Sequence, residues 1–510
     1  MNMENKQSPP SNELTNKASA LSRDISDNKN VILIAPPLSI SVDRNHDYKS
    51  KEVDTIISVG ILMIAKTLKN KGFNVTILDT HNDPRYKYKT TLELAKEIKI
   101  QNPLFVGFSA NIDSINFIRD VRMHLKSLFS SMPEPILLAG GSLANSNPIE
   151  LIEDTNLDLL ISGDPAEKGL EDLIDSIERN KPWWEQKGLV FKAHDKKIVY
   201  TGQDIKRTKR QLPDYEALPL EIYKNLDFFP IFINLGCAYK CNNCGGISEL
   251  EKLEDDYIFQ QLDYAVKIGV KNLEFRDNDF FSISSRRLEL ILNKLKELNI
   301  PWRCGGKPDS EKITDKLIVK MKESGCIGIH LDMQHVSNEI HENCYLFRKK
   351  ILKISKTKNR NVINTYDEVI IRLKKAELNV SGTLRMGYPN ETLEEHKAMI
   401  EFILKHKINI SDPRPISPPG SKFFNMSAKK ANDENFSKTY ILKAFSVYLS
   451  DKLNTNELTK KLFHFFNLSE ISDEILLKSS NAISSLKKDN SWYSWDIEKA
   501  KKEFFPHLFL

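Results

Sequence analysis

Leu235-Gly236-Cys237-Ala238-Tyr239-Lys240-Cys241-Asn242-Asn243-Cys244-Gly245-Gly246 gathers half of the chain's six cysteines into one short stretch. The spacing Cys-x-x-x-Cys-x-x-Cys lets a single loop fold three thiolates around a small metal centre. A structural zinc wants four protein ligands, and no fourth lies nearby. A 4Fe–4S cluster held by three thiolates keeps one iron open to an added ligand. Cys237, Cys241 and Cys244 are therefore candidate cluster ligands. Two other readings of the spacing compete: zinc completed by Cys304, Cys326 or a distant histidine, and buried inert thiols. Gly245 and Gly246 permit close backbone approach to a cluster or nucleotide, and they serve a plain turn equally well.

The residues around this loop predict its framework. Residues 231–235 read as a strand that runs directly into the first cysteine. Strands over 272–275, 302–304, 327–331 and 380–386 alternate with helices over 256–268, 286–299, 314–323 and 369–377. The turn Gly387-Tyr388-Pro389-Asn390-Glu391-Thr392 and a helix over 393–404 follow. This is the alternation of a partial (β/α) barrel, whose functional groups sit on the loops after the strands. Asp277 and Asp279, in Arg276-Asp277-Asn278-Asp279-Phe280, lie on one such loop, as ligand-facing acids or as a helix cap with a solvated acid. Arg303 ends the next strand. Cys304, Cys326 and Cys344 read as packing thiols, since free cysteine behaves as a small apolar residue.

Upstream, apolar runs over 31–35, 74–79, 104–109, 136–139 and 157–162 alternate with helical patterns over 56–69, 92–100, 115–129 and 148–153. That pattern predicts a doubly wound, Rossmann-like α/β sheet. Ligands bind such sheets beyond the carboxyl ends of the strands, which marks Ser109, Gly140 and Gly141. The Gly-x-Gly-x-x-Gly fingerprint is absent, so an ordinary nicotinamide domain is excluded. The expected divisions are a mobile leader over 1–30, the first α/β domain over 31–205, a linker over 206–229, the barrel over 230–425 and a helical region over 426–510. Residues 349–364 read as a basic exposed loop. The aromatic end, with Trp492, Tyr493, Trp495, Phe504 and Phe505, reads as a cap or pocket wall.

The 510 residues carry 74 basic and 69 acidic side chains, a formal charge of only +5 without long single-sign blocks, which argues against an obligatory nucleic-acid partner. No apolar run reaches bilayer length, so no membrane association is expected. Few cysteines and no secretory signal point to a reducing, cytoplasmic setting.

The cysteine motif resembles that of the radical S-adenosylmethionine superfamily, and the Gly-Tyr-Pro-Asn-Glu-Thr turn resembles its Gly-x-Pro-x-Glu-Thr turn. The first domain resembles the cobalamin-binding domain of cobalamin-dependent members. That likeness rests on Pro36-Pro37, the Val-Gly-Phe-Ser-Ala strand end, the Ala-Gly-Gly-Ser turn and Ser162-Gly163-Asp164-Pro165-Ala166-Glu167. Four departures mark this chain. Asn243 replaces the usual aromatic before the last cysteine, and Gln334-His335 replaces a common Glu-Ser. The Gly-Glu-Gly-Glu turn is imperfect. The Asp-x-His-x-x-Gly cobalt-ligand segment is missing, which leaves His81 a solvated loop residue.

The resemblance implies three cofactors: a 4Fe–4S cluster on Cys237, Cys241 and Cys244, S-adenosylmethionine, and cobalamin. It places Asp277 and Asp279 near the ammonium or ribose of S-adenosylmethionine, Arg303 near its carboxylate, and Ser109, Gly140 and Gly141 along the cobalamin tail. It implies C-methylation of an unactivated carbon on a small molecule or peptide, with electrons from a flavodoxin or ferredoxin. The alternative is dehydration, rearrangement or oxidation by a member of the same family. A zinc-stabilised binding module is the reading from another class.

Overall fold

The computed structural model describes residues 9–24, 28–37, 40–42, 48–50, 57–205, 210–239, 241–246, 249–344, 361–411, 413–450, 457–488 and 496–509. They form two compact units, Met1–Asp227 and Phe228–Leu510. The basic insertion up to residue 360, and Trp492, Tyr493 and Trp495, lie outside the described residues.

The first unit is built on seven strands: β1 (Asn30–Ala35), β2 (Asn74–Asp79), β3 (Phe105–Ser109), β4 (Ile136–Gly140), β5 (Leu159–Ile161), β6 (Leu189–Lys192) and β7 (Ile198–Tyr200). Their order is β7-β6-β5-β4-β3-β1-β2. The first five strands are parallel, and β6 and β7 add an antiparallel edge. Val31 to Ala35 are all buried, as a strand covered on both faces requires. The core order 2-1-3-4-5 reverses direction between β1 and β3. In doubly wound sheets a ligand crevice opens at that switch point.

The leader expected to be mobile is instead helical over Asn12–Asp24. Leu14 and Ala18 are buried, and Lys17 Nζ lies 3.1 Å from Glu134 and 3.0 Å from Asp158. The apolar positions 14 and 18 are four apart, so they share one helix face and dock together. Their sparse, polar surroundings hid that face from a reading by composition. The expected linker also has structure. Residues Tyr215–Ala217 form a 3-10 turn and Leu220–Lys224 a short helix; Asp214 pairs with Lys69 at 2.6 Å, and Tyr223 donates to the Tyr215 carbonyl at 2.8 Å.

The second unit holds a six-stranded, wholly parallel sheet: β8 (Phe229–Ile231), β11 (Leu273–Phe275), β12 (Trp302–Gly306), β13 (Cys326–Gln334), β14 (Asn379–Leu384) and β15 (Asn409–Ser411), hydrogen-bonded in that order. The predicted strand over 231–235 breaks after Ile231. Its remainder, β9 (Asn234–Leu235), pairs antiparallel with β10 (Glu251–Lys252). The cysteine loop therefore hangs as a hairpin outside the main sheet. Helices Asp255–Ile268, Ser285–Leu298, Asp315–Glu323, Val362–Lys375 and Leu393–His406 alternate with the strands. Thr314 and Thr392 cap two of them through the backbone N–H groups of Leu317 and Glu395. The helix expected over 369–377 begins earlier, at Val362, because the Asn361 side chain accepts from Ile363 N and caps it. Helices Lys422–Asp433, Lys438–Ser450, Glu457–Phe466, Asp473–Lys488, Ile497–Phe504 and Pro506–Phe509 complete the unit.

Candidate functional site

The cysteine loop is clamped from both sides by backbone contacts. Asn242 N donates to the Cys344 carbonyl at 2.8 Å, its side chain donates to the Asn343 carbonyl at 2.6 Å, and Phe423 N donates to the Asn242 carbonyl at 3.1 Å. On the other side Asn278 Nδ2 donates to the Gly236 carbonyl at 2.8 Å. Gly245 shows why no side chain is tolerated there: a Cβ would stand 1.8 Å from the Pro419 carbonyl oxygen. The close approach that this glycine permits is to the Pro419 backbone of the same unit.

Cys237 and Cys241 are half-buried and Cys244 is exposed. Burial pushes both half-buried thiols up, Cys241 to about 12, with the Cys244 sulfur adding to the rise of each, Cys237 adding to that of Cys241, and Lys307 opposing both. The three sulfurs thus share one electrostatic neighbourhood. Among the described residues no three His, Cys, Asp or Glu side chains converge on one metal-ion position. A cluster asks for something else, since each thiolate takes a different iron and the sulfurs surround a volume rather than a point. Three thiols on one pinned loop, with no Cβ at Gly245, fit that demand. Cys304 and Cys326 are buried in β12 and β13, and burial pushes Cys326 up to about 12.

Both acids of the turn after β11 are buried, so neither is the solvated one that a capping turn would leave. Asp277 is buried and accepts from Asn234 N at 2.6 Å and Ile233 N at 3.2 Å, so it holds the backbone that enters the cysteine loop. Burial pushes its carboxyl up to about 7 despite those bonds. Asp279 is also buried and accepts from Lys307 N at 3.2 Å. Arg303 is engaged within the sheet: its Nε lies 2.8 Å from Glu274 and its guanidinium 3.6 Å from the Phe228 ring centroid. Glu274 also pairs with Arg276 at 2.7 Å.

Register places Glu274, Arg303, His330, Asp332, Ser381, Thr383 and Ser411 on one face of the sheet. These residues are partly exposed, while Leu273, Phe275, Trp302, Leu331 and Leu384 on the other face are buried. His330 bridges Ser381 at 2.9 Å and Thr383 at 2.8 Å, and Thr383 reaches Ser411 at 3.0 Å. At the mouth of this polar face Asn243 donates to Gln334 and to Tyr388 at 3.3 Å, and Tyr388 donates to Gln334 at 2.8 Å. The Asn243 Oδ1 is buried without a hydrogen-bond partner, and so is Arg385 Nε. Sequence reasoning singled out Asn243 and Gln334 only as departures and missed Lys307, Arg385 and Tyr388. The signals were Gly305-Gly306-Lys307-Pro308 at a strand end and an arginine two residues before the Gly387 turn.

Glu391, the acid of that turn, is fully buried and accepts from Gly387 N at 2.6 Å and Tyr388 N at 3.0 Å. Burial would raise its carboxyl, but His335 and His396 hold it at about 2. His335 Nδ1 accepts from Ser337 N, which leaves the Nε2 proton toward Glu391, 3.5 Å away. His396 joins Glu391 at 3.1 Å to Ser479 at 3.0 Å, and Ser479 reaches His507 at 3.0 Å. A polar chain thus runs from the barrel to the last helix.

In the first unit Ser109, Gly140 and Gly141 line the strand ends as predicted. Ser109 Oγ lies 3.5 Å from Ser58 Oγ, and Ala110 N donates to the Gly140 carbonyl at 2.7 Å. Gly141 has φ +108, and a Cβ there would meet Ala110 O at 2.8 Å; Gly140 has ordinary space. The glycine at 141 is thus required by its own turn. His81, expected in solvent, is buried in the turn after β2, where its N–H donates to Asp79 at 3.0 Å.

The family profile of the B12 binding domain matches residues 52–174. An uncharacterized methyltransferase of Pyrococcus horikoshii is 23% identical over 347 residues, 66% of this chain and 72% of that protein. The radical S-adenosylmethionine methyltransferase TsrM from Kitasatospora setae, solved with tryptophan substrate and a SAM analogue, superposes with a TM-score of 0.59 at 16% identity, over 79% of this chain and 77% of its own. The cobalamin-dependent S-adenosylmethionine radical enzyme OxsB, solved with aqua-cobalamin and S-adenosylmethionine, gives a TM-score of 0.60 at 13% identity, over 92% and 74%. The chain carries a match to the B12 binding domain followed by a parallel partial barrel with a three-cysteine loop, and its fold is that of TsrM and OxsB. Among the described residues no helix is long and apolar enough to cross a membrane.

Proposed function

We propose that this protein is a cobalamin-dependent radical S-adenosylmethionine methyltransferase that methylates an unactivated carbon of a small molecule or peptide. The observation that carries the reading is the pairing, in one chain, of a B12 binding domain with a pinned Cys-x-x-x-Cys-x-x-Cys loop on a partial barrel. When bound, the cofactors supply one-electron cleavage of a sulfonium and a transferable methyl group. The chain's residues do the rest. Cys237, Cys241 and Cys244 hold the cluster, and Asp277 and the Asn242 clamps fix the loop that carries them. The polar face from Glu274 to Ser411 receives a substrate with hydrogen-bonding groups. Arg385 and Asn243 offer it, or the nucleoside, unanswered polar atoms. Ser109 and Gly140 border the crevice at the switch point of the first sheet, where cobalamin binds with no histidine from an Asp-x-His-x-x-Gly segment beneath it. A flavodoxin or ferredoxin serves as electron donor.

A second reading, in which the same cofactors act without net methyl transfer, is equally compatible with the likeness to OxsB, a cobalamin-dependent S-adenosylmethionine radical enzyme. The test is anaerobic reconstitution of the full chain. Iron, sulfide and cobalt are quantified, and deoxyadenosine and methyl transfer from methyl-labelled S-adenosylmethionine are then followed across candidate acceptors. Four irons with bound cobalamin and label in a new carbon–methyl bond support the proposal. Deoxyadenosine with an unlabelled, dehydrated or rearranged product moves it to the second reading. Zinc with neither cofactor ends both.

A further inference from the structure

Lys307 follows the last residue of β12, and its backbone has almost no freedom. Its N–H donates to Asp279 Oδ1 at 3.2 Å. The preceding Gly306 has no room for a Cβ, which would stand 2.7 Å from Phe281 and 2.8 Å from Asp279. Pro308 restricts it from the other side. The side chain is 6% exposed, and its Nζ reaches 3.9 Å from Cys241 Sγ and 4.1 Å from the Tyr239 ring centroid. An ammonium loses hydration on burial, so a lysine directed at a sulfur and an aromatic face has been placed against that tendency. Asp279 lies behind it and the Cys237 and Cys241 thiols in front, with Asp332 also acting on Cys241 and Lys312 on Asp279.

We propose that Lys307 is a positioning residue of the cluster, supplying a fixed positive charge beside the Cys241 thiolate that favours its one-electron reduced state. The inference rests on the cofactor reading above. Reduction takes one electron from a low-potential single-electron donor and adds one negative charge to the cluster and its three thiolates. No bond is made or broken. A buried cation at the edge of that unit stabilises the added charge more than a solvated one does, because little water screens it. Hydrogen bonds to the sulfurs and net local charge are the protein's means of setting such potentials.

The test uses full-length protein reconstituted anaerobically as wild type, Lys307→Met, Lys307→Gln and Lys307→Arg. Each is poised against dithionite and redox mediators and read by electron paramagnetic resonance of the reduced cluster. With four irons retained, the Met and Gln variants are expected to titrate at a more negative midpoint than wild type, and the Arg variant to recover most of the shift. If the neutral variants lose iron while Arg keeps it, the requirement for positive charge holds at assembly. Equal midpoints in wild type and a neutral variant overturn the proposal. So does an unchanged midpoint with weakened S-adenosylmethionine binding, which would make Lys307 a ligand of that cofactor. Loss of iron in all three variants also overturns it, since shape rather than charge would then be what matters. Wild type that assembles no four-iron cluster fails the cofactor reading itself, a result distinct from all of these.

Discussion

Asp277 and the cysteines it supports set the chemistry of the loop at the level of single side chains. Cys237→Ala, Cys241→Ala and Cys244→Ala are each expected to abolish cluster assembly, read as loss of bound iron and sulfide, whereas Cys304→Ala, buried in β12, keeps them. Asp277→Ala is expected to lower iron content as well, because two backbone N–H groups at the loop entry lose their acceptor. Its pH behaviour follows from the carboxyl standing at about 7 in the folded chain against 3.8 as the ordinary value. The folded state then binds the extra proton, so this group's contribution falls as pH rises through that window and is fully unfavourable above about 7. Asp277→Asn, which carries no charge at any pH, should therefore gain on wild type as pH rises from about 4 to 7, by up to about 4 kcal/mol, as ~1.4 kcal/mol per pH unit implies. Denaturant melts of both apo-proteins at several pH values check this; parallel stability curves would refute it. The three cysteines were legible as a group from their spacing, which left zinc and inert thiols standing beside the cluster reading. The role of Asp277 was not, because its partners are backbone amides more than forty residues away in sequence.

The elements were mostly readable from apolar runs and their period. All five parallel strands of the first sheet and four of the six barrel strands stand where alternation put them, while the last, Asn409–Ser411, was not expected. Two were misjudged for identifiable reasons. Residues 12–18 alternate Leu14 and Ala18 with polar side chains, too sparse an apolar pattern to stand out, and Lys17 ties the helix to Glu134 and Asp158 ahead of β4 and β5. Leu14→Ala should destabilise the first unit by about 2–4 kcal/mol, the range for truncating a buried leucine, as measured by urea melts. The strand before the cysteines breaks because residues after Ile231 turn to meet Asp277 instead of continuing in the sheet. Gly245→Ala tests the hairpin that results. A methyl cannot fit 1.8 Å from the Pro419 carbonyl, so the loop must shift and cluster occupancy should fall, while Gly60→Ala, with open space and ordinary helical backbone, leaves occupancy intact.

For the chain as a whole, the decisive expectation concerns the first unit's ligand. Wild-type protein offered hydroxocobalamin anaerobically should retain it after desalting, with an absorption spectrum lacking a protein histidine beneath cobalt. Gly140→Leu should exclude it and leave the iron intact, since position 140 has space for a side chain that would then fill the strand-end crevice. Gly141→Leu is the poorer test, because its positive φ and the Ala110 backbone would disturb the turn itself. Cobalamin absent from wild type despite deoxyadenosine formation would sink the methyltransferase reading. That two strand-and-helix units follow one another was legible, although the barrel and the helical end, expected as separate divisions, form one compact unit. What the chain acts on was not, since the polar face assembles from strands scattered over residues 274–411.

The chain of polar contacts from His335 through Glu391, His396 and Ser479 to His507 bears on how such an enzyme can change its substrate. A tail joined to a barrel by apolar packing alone can be exchanged for another of similar shape. Here the exchange has a grammar: any new ending must bring a hydroxyl to the place of Ser479 and a partner to the place of His507, or His396 is left speaking to nothing inside a closed interior. Diversification of this lineage by swapping tails is thus restricted to endings that already answer that histidine, and chimeras built without them should be insoluble before they are inactive.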